Sequence, residues 1–451
     1  MHWVVLTGLL LASSQAPLGS TLIAVALPQI ATGLESDVVH ATTLLVSSYL
    51  VLTVLLQGPA GRLSDTIGHL RTLRWGMGLF AVGSLAGFAS PTLGALAVAR
   101  CITAVGGALV VPSTMAIIRV TAAPERRGRV FGTFGAVMAL SAALGPLIGA
   151  EIVGAFGWRF TYLASLPFLA AAALIVWLNP LPDPSPEQDG ALRRFMQGVD
   201  WQGLALLAAA LVLVVAAGKI AGPLRAALLA GGLAASVAFA VSQWRSPRPA
   251  LDVALLRNPV VAAGTGIMAL HNFAMYGLLF QLPAYFEQFH ETSPRAVGQG
   301  LFAMMIGMVV ASPLGGRLAD RLGARLAGVL GAGVVLAGTL LMCRLASFAS
   351  PLDAAPALLM IGMGLGLASS PAQASAMAAV APAKAGMAAG LSSTMRYLGG
   401  IATIAVQAAL LSGGEAVTIR EHVMLAWIDV AAAALAVGAA ALLPRIVHRR
   451  S

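Results

Sequence analysis

Apolar residues fall into fourteen blocks along this chain, each closed by charge, proline or glycine. They cover approximately residues 4–28, 41–60, 72–91, 93–117, 128–150 and 158–179, then the close pair 201–217 and 222–243. Six more follow at 257–280, 296–316, 325–345, 352–376, 387–411 and 424–444. Blocks of about 17 to 25 residues at a helical rise of about 1.5 Å match the roughly 30 Å hydrocarbon core of a bilayer. The pattern therefore predicts an all-α polytopic membrane protein with fourteen transmembrane helices. The first block invites a signal-peptide reading, because it passes through Ser-Ser-Gln-Ala at residues 13–16. His2 is its only candidate basic residue and the apolar run continues to Pro28, so an uncleaved first helix is expected.

Composition agrees with the pattern. Of 451 residues, 59% are hydrophobic and 10% charged, where a soluble chain carries about 25% charged residues. The net charge of +10 does not form a nucleic-acid surface, because the basic residues sit in short clusters between apolar blocks. With the N-terminus placed in the cytoplasm, 19 of the 27 Lys and Arg fall on the cytoplasmic side. These include Arg62, Arg71, Arg126, Arg248, Arg321, Lys384, Arg449 and Arg450. Six, among them Arg159 and Lys219, fall opposite, and Arg100 and Arg396 lie within helices. This positive-inside bias supports an even helix count with both termini cytoplasmic, in an inner membrane. Cys101 and Cys343 lie in separate blocks without metal or redox spacing, so no metal site or cofactor is expected.

An internal repeat sets the organisation. Gly-Arg-Leu-x-Asp-x-x-Gly occurs at Gly61, Asp65 and Gly68, with Arg71 beyond, and again at Gly316, Asp320 and Gly323, with Arg321 and Arg325. The aspartates are 255 residues apart, about eight helices, so the motif follows the second helix of each half if one helix pair is inserted between halves. The expected layout is a six-helix bundle over 1–180, a Pro- and charge-rich linker over 181–200, an inserted pair over 201–243, and a second six-helix bundle with a basic tail over 244–451. Repeats of this kind mark secondary transporters. Gly61 and Gly316 are expected to let a neighbouring helix approach closely. Asp65 and Asp320 would meet the dipole of the next helix start, with the following arginines to pair with them.

At these residues the chain resembles the fourteen-helix drug:proton antiporters of the major facilitator superfamily. Both loops are similar to that superfamily's Gly–Asp–Arg motif. Arg100, Gly106, Gly107 and Pro112 resemble its arginine–glycine motif, with Thr103 in place of glutamine. Gly132, Ser141, Gly145, Pro146, Gly149 and Ala150 resemble its antiporter motif. Trp158 to Phe160 with Pro167, Asp200 to Gly203, and Arg396 to Gly400 fit the family pattern at the sixth, seventh and thirteenth helices. The resemblance implies two six-helix bundles plus two inserted helices, alternating access, and a bend at Gly145 and Pro146. One departure bears on coupling: the acidic position of the family's first helix is Gly19 here, and the asparagine position is Ala24.

Charges inside a bilayer are costly, about 2.5 kcal/mol or more on insertion scales, so each calls for a reason. Three groups are proton-coupling candidates. Glu151 follows the Gly-Pro site and reads either as a carrier or as a solvated helix-end carboxylate. His271 reads as a titrating group or as a packed histidine, and Asp429 as a peripheral group by analogy with the superfamily. Arg100, which the resemblance places against the central cavity, and Arg396 are expected to serve charge pairing or substrate, with Asn272 and Tyr276 beside His271. Partners are then a small-molecule substrate, protons and lipid, with no nucleic acid or soluble partner. Hydrolase, metalloprotease and nucleotide-binding motifs do not occur in the sequence, which argues against an enzyme. The expected function is export of lipophilic or amphipathic compounds in exchange for protons; the alternative is a specific metabolite exporter or an uncoupled facilitator of the same fold.

Overall fold

The computed structural model describes residues 3–121, 127–179, 191–218, 220, 223–246, 249–380, 385–411 and 418–445. Arg126, Lys219, Arg248, Lys384, Arg449, Arg450 and residues 181–190 of the linker lie outside the described residues. Each apolar block is a helix. The first six are α1 (Trp3–Gly33), α2 (Val38–Ile67), α3 (His69–Phe88), α4 (Leu93–Thr121), α5 (Arg127–Phe156) and α6 (Phe160–Leu178). A short helix from the linker, α7 (Ala191–Gly198), precedes the pair α8 (Trp201–Ala217) and α9 (Pro223–Arg245). The last six are α10 (Pro259–His290), α11 (Pro294–Leu322), α12 (Ala324–Met342), α13 (Pro351–Ala378), α14 (Ala385–Leu411) and α15 (Ile419–Ala440).

Among the described residues, eleven helices are long and apolar enough to cross a membrane by length and composition. The other three expected crossings are α3, α8 and α10. Of these, α8 is apolar over 17 residues, and α10 carries His271, Asn272, Gln281, Glu287 and His290 along its length. Capping chemistry, not hydrophobicity, sets where several helices begin. Asn258, Ser293 and Ser350 each accept a bond from a first-turn N–H and are each followed by proline at the first helical position, the favoured arrangement for a helix start.

The chain divides into two units, one through Leu204 and the other from Ala205. In the first, the closest pairings are α1 with α5, α3 with α4, α2 with α4 and α1 with α6; in the second, α10 with α14, α12 with α13, α11 with α13 and α10 with α15 are joined by α12 with α15 and α10 with α13. The first four of these are the same pairings shifted by one repeat, and between the first and fifth helices of each unit one contact keeps its register to the residue. Thr21 abuts Gly145 and Tyr276 abuts Gly400, each pair displaced by the 255 residues that separate the loop motifs. From Ala205 onward α8, together with α9, falls in the second unit, where a β-carbon on Gly218 would lie 2.8 Å from the Ala405 carbonyl oxygen of α14.

The repeated loops are shorter than the motif suggests. Gly68 alone separates α2 from α3, at φ +108°, and Gly323 alone separates α11 from α12, at φ +92°. Their amides close the preceding helix on Ser64 (3.2 Å) and Ala319 (2.9 Å). Only glycine enters that region of backbone space without strain, which explains the invariant last position of the two motifs. Asp65 and Asp320 consequently lie on the last turn of a helix.

Two expectations are corrected here. Among the described residues, no atom lies within 4 Å of a β-carbon position at Gly61 or Gly316; the close approach is made one residue earlier, where Gly315 meets the Leu367 backbone of α13. The arginine after the second motif does not pair with its aspartate. Arg325 instead donates from N to Pro444 O (3.0 Å) and from Nε to Leu443 O (2.9 Å), tying α12 to the end of α15. At Pro146 the helical assignment of α5 continues without a break.

Candidate functional site

In the first unit the expected residues gather around Arg100. Its side chain is 4% exposed and points from α4 toward α1 and α2. Nη1 donates to the Gly19 carbonyl (3.3 Å), and the guanidinium carbon stands 4.3 Å from the ring centroid of Tyr49. Tyr49 is fixed in turn by its hydroxyl, which donates to Ala16 O (3.2 Å). Nε and Nη2 are buried without an acceptor among the described residues, as is the Tyr162 hydroxyl on α6, which lies within electrostatic reach of Arg100. The family's acidic position is therefore adjacent to Arg100, and here it offers only a backbone carbonyl.

Gly145 and Gly149 seat α5 on α1. A β-carbon on Gly145 would run into the Thr21 hydroxyl, and one on Gly149 would lie 2.7 Å from Leu22 O. Thr21 also donates to Ala142 O across the same contact (3.0 Å). Glu151, two residues after Gly149, is exposed.

The second unit holds two separate polar places. His271 is 2% exposed; its Nδ1 lies 3.2 Å from the Ser369 hydroxyl of α13, and Nε2 is buried without a partner. Asn272 donates to Met268 O of its own helix (2.9 Å), and Tyr276 stacks on Phe280 at 5.8 Å. Arg396 on α14 is half-buried with Nε unpartnered.

Asp429 forms the other place. Expected at the periphery, its side chain is 3% exposed and faces Gly277 of α10, where a β-carbon would stand 3.3 Å from Oδ1 and 3.5 Å from Oδ2. Thr403 of α14 approaches the same glycine, at 2.9 Å from that position, and Gln407 donates to the Gly277 carbonyl (2.7 Å). No hydrogen bond or ion pair to a described residue reaches the carboxylate.

At the loop motifs, Asp65 is 75% exposed and lies 4.0 Å from His69 Nδ1; His69 also meets the Ser64 hydroxyl (2.9 Å). Asp320 and Arg321 are exposed. The residues that reading the sequence missed are Tyr49, Tyr162, Ser369, Thr403 and Gln407. Each lies on a different helix from the group it serves, so no local spacing could have revealed it.

Comparison with known proteins agrees with this architecture. Residues 9–404 match the Major Facilitator Superfamily. The chain is 31% identical over 386 residues to the Uncharacterized MFS-type transporter YvkA of Bacillus subtilis, covering 85% of each. It is 30% identical to the Tetracenomycin C resistance and export protein of Streptomyces glaucescens, covering 70% of this chain and 58% of that one. It is 27% identical to the riboflavin transporter RibZ of Clostridioides difficile, covering 85% of this chain and 82% of that one. In structure it is similar to a POT family transporter solved with 5-aminolevulinic acid, with a TM-score of 0.68 at 15% identity over 96% of this chain and 94% of that one. These are transporters and not enzymes; with its repeated bundles, its apolar helices and this match across most of its length, the chain is a multi-pass membrane protein that belongs to the Major Facilitator Superfamily.

Proposed function

We propose that the protein is a secondary active transporter of the inner membrane that exports lipophilic or amphipathic small molecules in exchange for protons by alternating access. In this reading all fourteen blocks cross the membrane, with α3, α8 and α10 added to the eleven apolar spans, and both termini are cytoplasmic. The observation that carries proton coupling is the enclosed, unpaired carboxyl group of Asp429. Enclosure favours the neutral form of any carboxyl group and contact with water favours the charged one, so a carboxyl alternating between the two is a proton carrier. Asp429 has this setting, whereas Glu151 is exposed. His271 is the second carrier candidate. One proton moving down roughly 100 mV and one pH unit supplies about 3.7 kcal/mol, enough for a gradient of about 500-fold in a neutral substrate.

A second reading has one specific observation behind it. With Gly19 in α1, the first unit lacks the carboxylate that the resembling antiporters carry there. An uncoupled facilitator or a specific metabolite exporter fits that loss, and a relative named as a riboflavin transporter is compatible with it. Inverted vesicles, acidified inside and loaded with a pH-sensitive dye, separate the two readings. Compound-dependent proton release in the parent and in Glu151→Gln, lost in Asp429→Asn, supports antiport with Asp429 as carrier. Equilibration of a labelled compound with no proton release from any compound tested sinks it in favour of facilitation.

A further inference from the structure

A buried guanidinium normally has a counter-ion or a full set of acceptors, because an uncompensated charge costs several kcal/mol once water is removed. Arg100 has neither. Its Nη1 is taken by Gly19 O, and one flat face is covered by the Tyr49 ring. The two nitrogens left without an acceptor are Nε and Nη2. They form one edge of the guanidinium, the edge whose two parallel N–H bonds match the two oxygens of a carboxylate. No described carboxylate lies within ion-pair distance of it. A second donor, the Tyr162 hydroxyl, is likewise buried without an acceptor within reach of the Arg100 charge.

The fold therefore holds a desolvated cation on two sides and leaves its bidentate edge lacking an acceptor among the described residues. We propose that the Nε–Nη2 edge of Arg100, together with the Tyr162 hydroxyl, recognises the carboxylate of an amphipathic organic acid, so that the exported substrates are carboxylates with a lipophilic body. This rests on the exporter reading and adds the charge of the cargo. It also changes the energetics. A monovalent anion leaving a cell at roughly 100 mV, inside negative, gains about a 50-fold gradient from the membrane potential alone, so export of such a substrate needs less from protons than export of a neutral one.

Gly19 provides an internal control. Its carbonyl is held by Arg100, and a β-carbon there makes only an ordinary 3.7 Å contact with Phe80. Gly19→Asp thus introduces a carboxylate of the protein's own beside Arg100, whereas Gly19→Asn introduces the same shape without the charge. The test uses the full chain in lipid nanodiscs and two fluorescent probes, dansylglycine and its neutral amide. The parent is expected to bind the acid about 10- to 100-fold more tightly than the amide, the range expected of charge-assisted hydrogen bonds. Arg100→Gln and Gly19→Asp each remove that preference while leaving amide binding within a few-fold, and Gly19→Asn keeps it.

Equal binding of acid and amide by the parent overturns the proposal, as does a preference that survives both Arg100→Gln and Gly19→Asp. Should Arg100→Gln fail to fold, Gly19→Asp decides alone, because its β-carbon is accommodated. Export is scored separately in the inverted vesicles. Transport of neutral or cationic compounds with no discrimination between acid and amide removes the carboxylate inference and leaves the exporter reading standing. Arg100-dependent binding of dansylglycine with no transport of any compound does the reverse.

Discussion

Replacing Gly323 by alanine isolates what the repeated loop demands of its last residue. Gly323 holds φ +92° and ψ 151°, a region that is essentially restricted to glycine and costs other residues about 1–3 kcal/mol. An added β-carbon would also collide with the Arg445 carbonyl oxygen and lie 2.6 Å from its carbon. Relieving that collision moves the end of the chain away from α12. The bonds from Arg325 N to Pro444 O and from Arg325 Nε to Leu443 O are then lost, at about 1 kcal/mol for the neutral one and about 1.5–3 kcal/mol for the charged one. The total is about 3.5–7 kcal/mol. Gly68→Ala bears the same kind of backbone strain, at φ +108°, for about 1–3 kcal/mol. Gly316→Ala lies inside α11 with open space at its β-carbon and should stabilise by about 0.5–1 kcal/mol. Unfolding of the detergent-purified variants, followed by tryptophan fluorescence on heating with size-exclusion profiles as a check, should rank them Gly316→Ala, parent, Gly68→Ala, Gly323→Ala from most to least stable. A Gly323→Ala protein that unfolds no earlier than Gly68→Ala refutes the contact with the C-terminal segment. A Gly316→Ala protein less stable than the parent refutes the reassignment of close packing to Gly315.

Three further outcomes follow from the same geometry. Asp429→Asn replaces a buried carboxyl group that has no described partner by a neutral side chain of the same shape, so the variant should be at least as heat-stable as the parent while proton release in vesicles is lost; retained release assigns coupling elsewhere. Gly145→Ala drives a β-carbon into the Thr21 hydroxyl and should destabilise by about 1–3 kcal/mol through overpacking. Adding Thr21→Ala should recover part of that loss in thermal unfolding, and strictly additive effects would show that the two do not touch. Ser369→Ala takes away the one described hydrogen-bond partner of His271, at a cost of about 1–3 kcal/mol for a buried polar group left unpaired; paired with Ser369→Cys in the same melt, no loss in either variant argues against that contact.

Much of the fold was legible because membrane helices are written locally. Length and apolarity mark each span, a cap residue followed by proline marks several starts, and the 255-residue offset of two loop motifs announced the duplication that the packing then repeats, down to Thr21 on Gly145 and Tyr276 on Gly400. The family followed from the same motifs. Which face of a helix turns inward is not a local property when almost every side chain is apolar, because there is no polar stripe to set the rotation. The sequence therefore ranked Glu151 above Asp429, and only the packing of α10, α14 and α15 enclosed the second and left the first exposed. It marked Gly61 and Gly316 as the close contacts, whereas the helix rotation gave that part to Gly315. It singled out Arg100 as a costly charge, but that Nη1 would be satisfied while Nε and Nη2 would not depends on where α1, α2 and α6 meet α4. Spans, repeat and family were determined by composition and periodicity along the chain; the partners of each buried charge were decided by how the helices turn against one another.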